Sequence, residues 1–258
     1  MEKTAIIFTT FLRDELAKKT IHSIARYIKP EYVLLIGDQN PSEYKKHEYS
    51  DFLYYPLPKD CGLSFARNYL IQRAHLMEIP YILMTADSIE FTQDYNLEPL
   101  IAFLDSEEKI GKIGFNLNNR IPWEFNMNLK DSFELTISKE FKEFDKIKFH
   151  KVDICRNFFL GKTKAFVTIP YDNQLKLMEH EDHCWRFKQG GWETYYTDAV
   201  VANYIKFSNP SYDKYRQRMS KEFRPILLKK YGIKQWVSYS PEVTKLFDDW
   251  RGQQKKGI

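Results

Sequence analysis

The stretch Thr4–Asp38, TAIIFTTFLRDELAKKTIHSIARYIKPEYVLLIGD, indicates the fold class of this chain. Its first apolar run, Ala5–Phe11, is short and rich in β-branched residues, which is typical of a buried strand. Apolar residues then recur every three or four positions as far as Ile28, which predicts a helix that ends before Pro30. Tyr32–Ile36 predicts a second buried strand. A strand, a helix and another strand in this order favour parallel pairing within an α/β sheet.

The next segment repeats this order and extends the sheet. It predicts a short strand, a helix and a further strand, which span Phe52–Pro56, Leu63–Met77 and Tyr81–Met84. Ligands of such sheets bind beyond the carboxyl ends of the strands. Polar residues follow three of these ends, at Thr9–Arg13, at Asp38 and at Asp87. We therefore expect these residues to line one crevice.

The second half of the chain has a different pattern. Strands are predicted over Lys112–Leu117, Asp153–Gly161 and Thr194–Ile205, with a helix at Asp182–Gln189 and a mixed region over 121–150. A basic helical segment follows over 211–232. We expect one domain over 1–258, with a nucleotide-binding half at about 1–110, an acceptor half at about 111–207 and a basic helical tail at 208–258.

The composition excludes several classes of protein. Hydrophobic residues make up 43% of the 258 residues and charged residues 29%, which suits a folded core rather than disorder. The net charge of +4 suits an anionic ligand without identifying a nucleic acid. The three cysteines lack metal-ligand spacing. Because no apolar run approaches the ~20 residues of a membrane span, we expect a cytoplasmic protein, peripheral if its acceptor is membrane-linked.

Six segments, taken in order, carry a resemblance to a known family. They are IIFTTFLRDELAKKTIHSI, LLIGDQ, LSFARNYLIQRA, ILMTADSIEF, VDICRNFFLGKTKAF and EHEDHCWRFKQGGW. Together they resemble family-2 glycosyltransferases with the GT-A fold, especially the β-1,4-N-acetylgalactosaminyltransferase-like branch, over roughly residues 4–205. The resemblance implies a mixed, mainly parallel sheet flanked by helices. It also implies an enzyme that transfers sugar from a nucleoside-diphosphate sugar, with UDP as the expected nucleotide.

The resemblance implies donor-binding roles for several residues. Thr9 and Arg13 would contact the nucleotide, Asp38 would read the base or ribose, and Asp153 and Asn157 would run under the donor sugar. Two of these assignments have ordinary structural alternatives, since Asp38 also suits a turn after Gly37 and Arg13 could pair with Glu15.

Arg67 is a further donor-binding candidate because of its place in the predicted helix. A cation near the first turn of a helix is disfavoured by the helix dipole, which favours a contact with a base or a diphosphate. The structural alternative is a surface ion pair with Asp60.

The resemblance also implies a metal site, at which this chain departs from the family pattern. Family members carry an Asp-x-Asp motif after the fourth strand and often a late histidine, whereas this chain has Ala86-Asp87-Ser88 and Asn203. We expect Asp87 to hold Mn²⁺ or Mg²⁺, with phosphate oxygens and water as the other ligands. Alternatively, Asp87 caps the strand, or Arg216 and Arg218 neutralise the diphosphate.

The segment EHEDHCWR, Glu179–Arg186, suggests the catalytic base. An acceptor hydroxyl must lose its proton to a carboxylate as the new bond forms in an inverting transfer. The family pattern assigns Asp182 as the base and Glu181 as an acceptor contact, with Trp185 near enough to stack on a sugar. The structural alternative pairs Asp182 with Arg186 one helical turn away and places Trp185 in the core.

Other functions remain open at this stage. A nucleotidyltransferase is disfavoured because TTFLRDE lacks the glycines of a phosphate-binding loop. A non-catalytic nucleotide-sugar-binding protein would explain the incomplete metal motif. The acceptor is expected to be a glycan or a lipid-linked oligosaccharide. The basic, aromatic tail also allows a nucleic acid, as in phage enzymes that glycosylate modified DNA bases.

Overall fold

A mixed, mainly parallel sheet forms the centre of the structure, a computed structural model that describes residues 4–28, 32–49, 51–118, 120, 124–206 and 210–255. The strands within these residues are β1 Thr4–Thr10, β2 Tyr32–Asp38, β3 Leu53–Pro56, β4 Tyr81–Met84, β5 Ile89–Glu90, β6 Ile110–Asn118, β7 Phe125–Leu129, β8 Phe133–Ile137, β9 Phe141–Phe144, β10 Ile147–Val152, β11 Phe159–Lys162, β12 Glu193–Tyr204 and β13 Val237–Tyr239. The helices are α1 Asp14–Tyr27, α2 Glu43–Glu48, α3 Leu63–Leu76, α4 Glu98–Ser106, α5 Thr163–Thr168, α6 Glu179–Gln189, α7 Pro210–Tyr231 and α8 Pro241–Lys255.

The first half of the central sheet is parallel and has helices on both faces. Its strands lie in the order β3-β2-β1-β4. Alternate side chains of β1 point to opposite faces, as the two-residue period of a strand requires. Ile6 and Phe8 pack in a cluster with Ile21 of α1, whereas Ile7 packs in another cluster with Leu70 of α3. The parallel arrangement brings the carboxyl ends of β1 and β4 to one edge.

The second half of the sheet is mixed. Strand β11 lies antiparallel between β4 and β6, and β12 runs parallel to β6. Strands β10 and β9 continue the sheet with antiparallel pairings, and β5 pairs with β12. This order places the loops after β10 and before α6 opposite the carboxyl ends of β1 and β4.

The prediction of a strand over Asp153–Gly161 is wrong for its first part. Strand β10 ends at Val152, and β11 begins only at Phe159. Between them, Ile154 exchanges backbone hydrogen bonds with Phe125, and the Met127 N–H donates to the Asp153 carboxylate at 2.8 Å. These bonds draw the chain away from the central sheet towards β7.

The residues after β12 share a hydrophobic core with β7 and β8. Strands β13, β8 and β7 form a three-stranded sheet, in which β13 pairs with β8 in parallel. Met219, Phe223 and Leu227 of α7 are buried against this sheet together with Phe247 of α8. Over the residues that the structure describes, no helix combines the length and the apolar character that a membrane span needs.

Hydrogen bonds join the start of α3 to the loop that leads into α6. The Leu63 N–H donates to the Lys176 carbonyl, and the Ser64 hydroxyl donates to the Leu175 carbonyl at 2.6 Å. In the segment after α5, the Tyr171 backbone both accepts from and donates to the Asn68 side chain, at 2.8 and 2.9 Å. Residues far apart in sequence are thereby held at one junction between the two halves of the fold.

Replacing Gly62 with alanine tests this junction. Gly62 has φ +87°, and a Cβ there would lie 2.6–2.8 Å from Lys176, including its Cα. We expect Gly62→Ala to lower the free energy of unfolding by about 2 kcal/mol, measured by urea denaturation, because strain and overlap add. Gly252→Ala, in α8 with nothing within 4 Å of the new Cβ, is the control and should stabilise the protein slightly. Equal effects of the two substitutions would contradict a tight junction at Gly62.

Candidate active site

A cleft of about 660 Å³ opens at the carboxyl ends of β1 and β4. The start of α6 and the loop before β11 form its opposite wall, and α7 lies across one side. Residues from both halves of the chain line this cleft, among them Thr9, Arg13, Arg67, Asp87, Asn157 and Glu181. The structure therefore brings together six of the residues that the sequence singled out.

Asp87 and Arg13 form an ion pair on the nucleotide-facing wall. The Arg13 Nη1 and Asp87 Oδ1 atoms are 2.8 Å apart, and the Thr10 hydroxyl lies 3.4 Å from the other carboxylate oxygen. Burial raises the pKa of Asp87 to about 6, although Arg13, Thr10 and Arg216 oppose this shift. The Arg13 guanidinium also lies 4.9 Å from the centre of the Tyr212 ring on α7. The carboxylate predicted to hold a metal is thus already paired with an arginine.

Arg67 and Glu179 form a second ion pair, which is buried. Their closest atoms, Nη1 and Oε1, are 2.6 Å apart, and both side chains are less than a tenth exposed. The Arg67 guanidinium also lies 5.2 Å from the centre of the Tyr171 ring. The alternative of a surface pair between Arg67 and Asp60 is not observed, since Asp60 contacts Tyr215 and Lys176 instead.

Glu181 presents a buried carboxyl group to the cleft. It lies in the first turn of α6 and is only 4% exposed. Burial raises its pKa from 4.5 to about 8, and the negative charges of Glu179 and Asp182 add to the shift, while its own backbone and Trp236 partly oppose it. A carboxyl group with a pKa near the working pH is suited to accept a proton in a reaction.

Asp182, which the family pattern assigns as the base, does not line the cleft. Its carboxylate is fully buried and accepts from the Arg186 Nε at 2.9 Å and from the Tyr231 hydroxyl at 2.7 Å. Lys230 Nζ lies 2.5 Å from the same group. Because successive residues of a helix are turned by about 100°, Glu181 faces the cleft while Asp182 faces α7. The pair with Arg186, the structural alternative at the sequence level, is present.

Three other predicted contacts also lie outside the cleft. Asp38 is fully buried and accepts from the Tyr54 hydroxyl at 3.0 Å, with Lys45 Nζ 3.1 Å away. Its neighbour Gln39 lines the cleft instead. Asp153 pairs with Lys188 at 2.7 Å, and Trp185 packs near Phe133 at a ring-centre distance of 6.3 Å. These side chains serve packing and charge pairing in this structure.

Several cleft residues escaped the sequence-level interpretation. Arg120 stacks on Tyr204, with its guanidinium carbon 3.6 Å from the ring centre, and no local motif marks it. Arg156 stands one residue before Asn157 in a segment that had been singled out. His180 Nδ1 lies 3.0 Å from the Asn157 side-chain oxygen, and burial holds its pKa well below the usual range. The alternation of acidic and histidine residues at the start of α6 was the available signal for His180.

The residues of the cleft do not fit a resident divalent cation. The described part of the chain holds no group of three histidine, cysteine, aspartate or glutamate side chains suited to a metal. Asp87 and Glu179 are each engaged by an arginine. The Asn203 side chain, at the place of the family's late histidine, accepts from Asn118 at 3.1 Å. We therefore derive no reaction step that depends on a metal ion bound by these residues.

The fold is that of solved GT-A glycosyltransferases. The crystal structure of S. aureus TarS 1–349 in complex with UDP matches with a TM-score of 0.55 at 13% identity, over 85% of this chain and 64% of that one. GalNAc-T7 with UDP, GalNAc and Mn²⁺ matches with a TM-score of 0.64 at 14% identity, over 97% and 55%. Mannosyltransferase PcManGT from Pyrobaculum calidifontis, in complex with GDP-Man and Mn²⁺, matches with a TM-score of 0.58 at 10% identity, over 85% and 61%.

These likenesses establish the fold and leave the activity open. The chain spans 55–64% of the length of these three solved structures. No protein-family model matches the sequence, and no curated protein matches it either.

The pH dependence of stability tests the burial of Glu181. Since its folded-state pKa is raised to about 8, the folded protein retains a proton that the unfolded chain releases near pH 4.5. The contribution of Glu181 to the free energy of unfolding should therefore fall as the pH rises from about 5 to 8. We expect Glu181→Gln to be more stable than wild type at pH 7.5 by about 2 kcal/mol and similar to it near pH 4.5.

Glu179→Gln is the matched control on the same helical turn. It should destabilise the protein at pH 7.5, because it removes the charge that compensates buried Arg67. Thermal and urea unfolding of both variants at a series of pH values would measure these effects. If Glu181→Gln were less stable than wild type at every pH, the conclusion that burial raises the pKa of Glu181 would be contradicted.

Proposed function

We propose that this chain is a glycosyltransferase that moves a sugar from a nucleoside-diphosphate sugar to an acceptor hydroxyl within the cleft. One observation carries the proposal. Arginines that can bind phosphates and a buried carboxyl group that can accept a proton line the same cleft, at the carboxyl edge of the sheet. The proteins of similar fold include one solved with UDP and one with GDP-Man, which supports a nucleotide-sugar donor. The resemblance to family 2 favours UDP.

We assign the role of general base to Glu181. The other two carboxyl groups of the cleft, those of Asp87 and Glu179, have arginine partners at 2.8 and 2.6 Å. Glu181 forms no ion pair with any described residue, and its raised pKa makes its carboxylate a stronger base once the proton is lost. Asp182 would then be a positioning residue that joins α6 to α7 through Lys230 and Tyr231.

The proposed reaction is a single displacement at the anomeric carbon. The acceptor oxygen forms a bond to that carbon while its proton passes to the Glu181 carboxylate. The bond from the anomeric carbon to the diphosphate oxygen breaks, and the nucleoside diphosphate leaves with the bonding electrons. Attack opposite the leaving group inverts the anomeric configuration.

A groove along α7 provides a path for the acceptor. It shares Gln217 and Ser220 with the cleft and continues past Lys221 and Arg224. We propose that a glycan or a lipid-linked oligosaccharide enters here. The exposed cations of α7 support a nucleic acid as a second acceptor class, for which binding to DNA should weaken as salt rises. Three free cysteines agree with the cytoplasmic location that we propose.

Neutral substitutions at the two adjacent acids test the assignment of the base. We expect Glu181→Gln to lower kcat by about a thousandfold, since each of the other carboxylates among the described cleft residues is paired with an arginine. Asp182→Asn keeps the shape of a buried residue outside the cleft and should retain transfer to within about tenfold once folded. Release of nucleoside diphosphate in the presence of acceptor measures both. Loss of transfer in Asp182→Asn with retention in Glu181→Gln would support the base suggested by the family pattern instead.

A donor screen tests the reaction itself. UDP-, GDP-, CDP- and dTDP-sugars should be compared for thermal stabilisation and for release of the free diphosphate. We expect one nucleotide to raise the Tm and its sugar derivative to be consumed, and the product should have the opposite anomeric configuration by NMR. Stabilisation by a nucleotide sugar without turnover on any acceptor would indicate a non-catalytic binding protein.

A further inference from the structure

Arginines dominate the charge of the cleft. Five guanidinium groups are found among its described lining residues, against the three carboxyl groups of Asp87, Glu179 and Glu181, and the five are Arg13, Arg67, Arg120, Arg156 and Arg216. Glu179 is committed to Arg67, and burial favours the neutral form of Glu181. The side chains of the cleft therefore carry an excess of positive charge.

Arg120 and Arg156 both line the cleft. Burial lowers the pKa of Arg156 to about 10, and the charge of Arg120 is the next largest cause, while Glu124 partly opposes it. Both guanidinium groups therefore add to the positive charge of this part of the cleft. Arg120 is exposed and held by its stacking on Tyr204, so its guanidinium edge is available to a ligand.

Arg13 and Arg216 face the remaining carboxylate, that of Asp87. Arg13 forms the direct ion pair, and its buried Nε makes no hydrogen bond with a described residue. Arg216 approaches from α7 and helps to hold down the pKa of Asp87. The carboxylate of Asp87, which the family pattern assigns to a metal, therefore has guanidinium groups as its neighbours.

We propose that Arg13, Arg120, Arg156 and Arg216 neutralise the donor diphosphate, so that this chain binds its donor without a divalent cation. The inference rests on the proposed function, since it names the groups that recognise the donor in that cleft. Each phosphate of the donor carries one negative charge, and planar guanidinium groups bind phosphate oxygens through paired hydrogen bonds. The developing charge on the leaving diphosphate would be stabilised by the same groups.

Calorimetric titration of UDP and GDP, with uridine and guanosine as probes that lack phosphates, tests this inference. Each titration is made once in EDTA and once in Mn²⁺. The variants are Arg120→Ala and Arg216→Ala, both at exposed positions where the fold should tolerate the change. Arg218→Ala is the matched control, because Arg218 lies on the same helix as Arg216 and outside the cleft. Thermal unfolding confirms that each variant is folded.

We expect UDP or GDP to bind in EDTA, with a Kd within about threefold of the Kd measured in Mn²⁺. Arg120→Ala and Arg216→Ala should each weaken its binding about tenfold or more, while leaving binding of the free nucleoside unchanged. Arg218→Ala should have an effect below about twofold. Binding that requires Mn²⁺, or that withstands both arginine substitutions, would overturn the inference and leave the proposed function standing. Absence of binding by every nucleotide in both conditions would overturn the two together.

Discussion

The buried ion pair between Arg67 and Glu179 is the constraint on which the site depends. It joins the fifth residue of α3 to the first residue of α6, and these helices belong to opposite halves of the chain. A cation near a helix start opposes the helix dipole, and the carboxylate of Glu179 compensates it. Removing either partner would leave an uncompensated buried charge, at a cost of about 3–5 kcal/mol. The pair therefore fixes where the start of α6, and with it Glu181, stands relative to the nucleotide-facing wall.

The geometry of α6 separates two carboxyl groups that are neighbours in sequence. Asp182 turns towards α7, where it contacts Lys230 and Tyr231, and it also pairs with Arg186 of its own helix. Glu181 turns towards the cleft, where burial penalises its charge and raises its pKa. Asp182 thereby stabilises the packing of α7. The burial of Glu181 lowers the stability of the fold, and the resulting raised pKa suits a proton acceptor. In the proposed function, proton transfer and packing are thus assigned to adjacent residues that one step of helical rotation separates.

Local patterns in the sequence were sufficient for the first half of the central sheet and for its helices α1 and α3. The apolar runs predicted β1, β2, β3 and β4, and β4 spans Tyr81–Met84 residue for residue. The three-stranded sheet was beyond such reasoning, because β13 pairs with β8 across about a hundred residues and no local period records that contact. Convergence of Thr9, Arg13 and Asp87 followed from strand order, whereas Asp38, expected in the same crevice, is buried outside it. The orientation of Asp182 did not, since three acids within four positions look alike until the neighbours of the helix are known. Arg120 gave no sequence signal because its role comes from stacking on distant Tyr204.

A crystal structure of the chain with bound UDP would test the central claim most directly, namely that donor phosphates and a buried carboxyl group meet in one cleft. The account predicts density for the diphosphate between Arg13, Arg156 and Arg216, with the Glu181 carboxyl group on the opposite wall facing the open space beyond the terminal phosphate. UDP bound outside the cleft would contradict the account. So would a diphosphate that sits in the cleft while Glu181 points away and Asp182 points towards it.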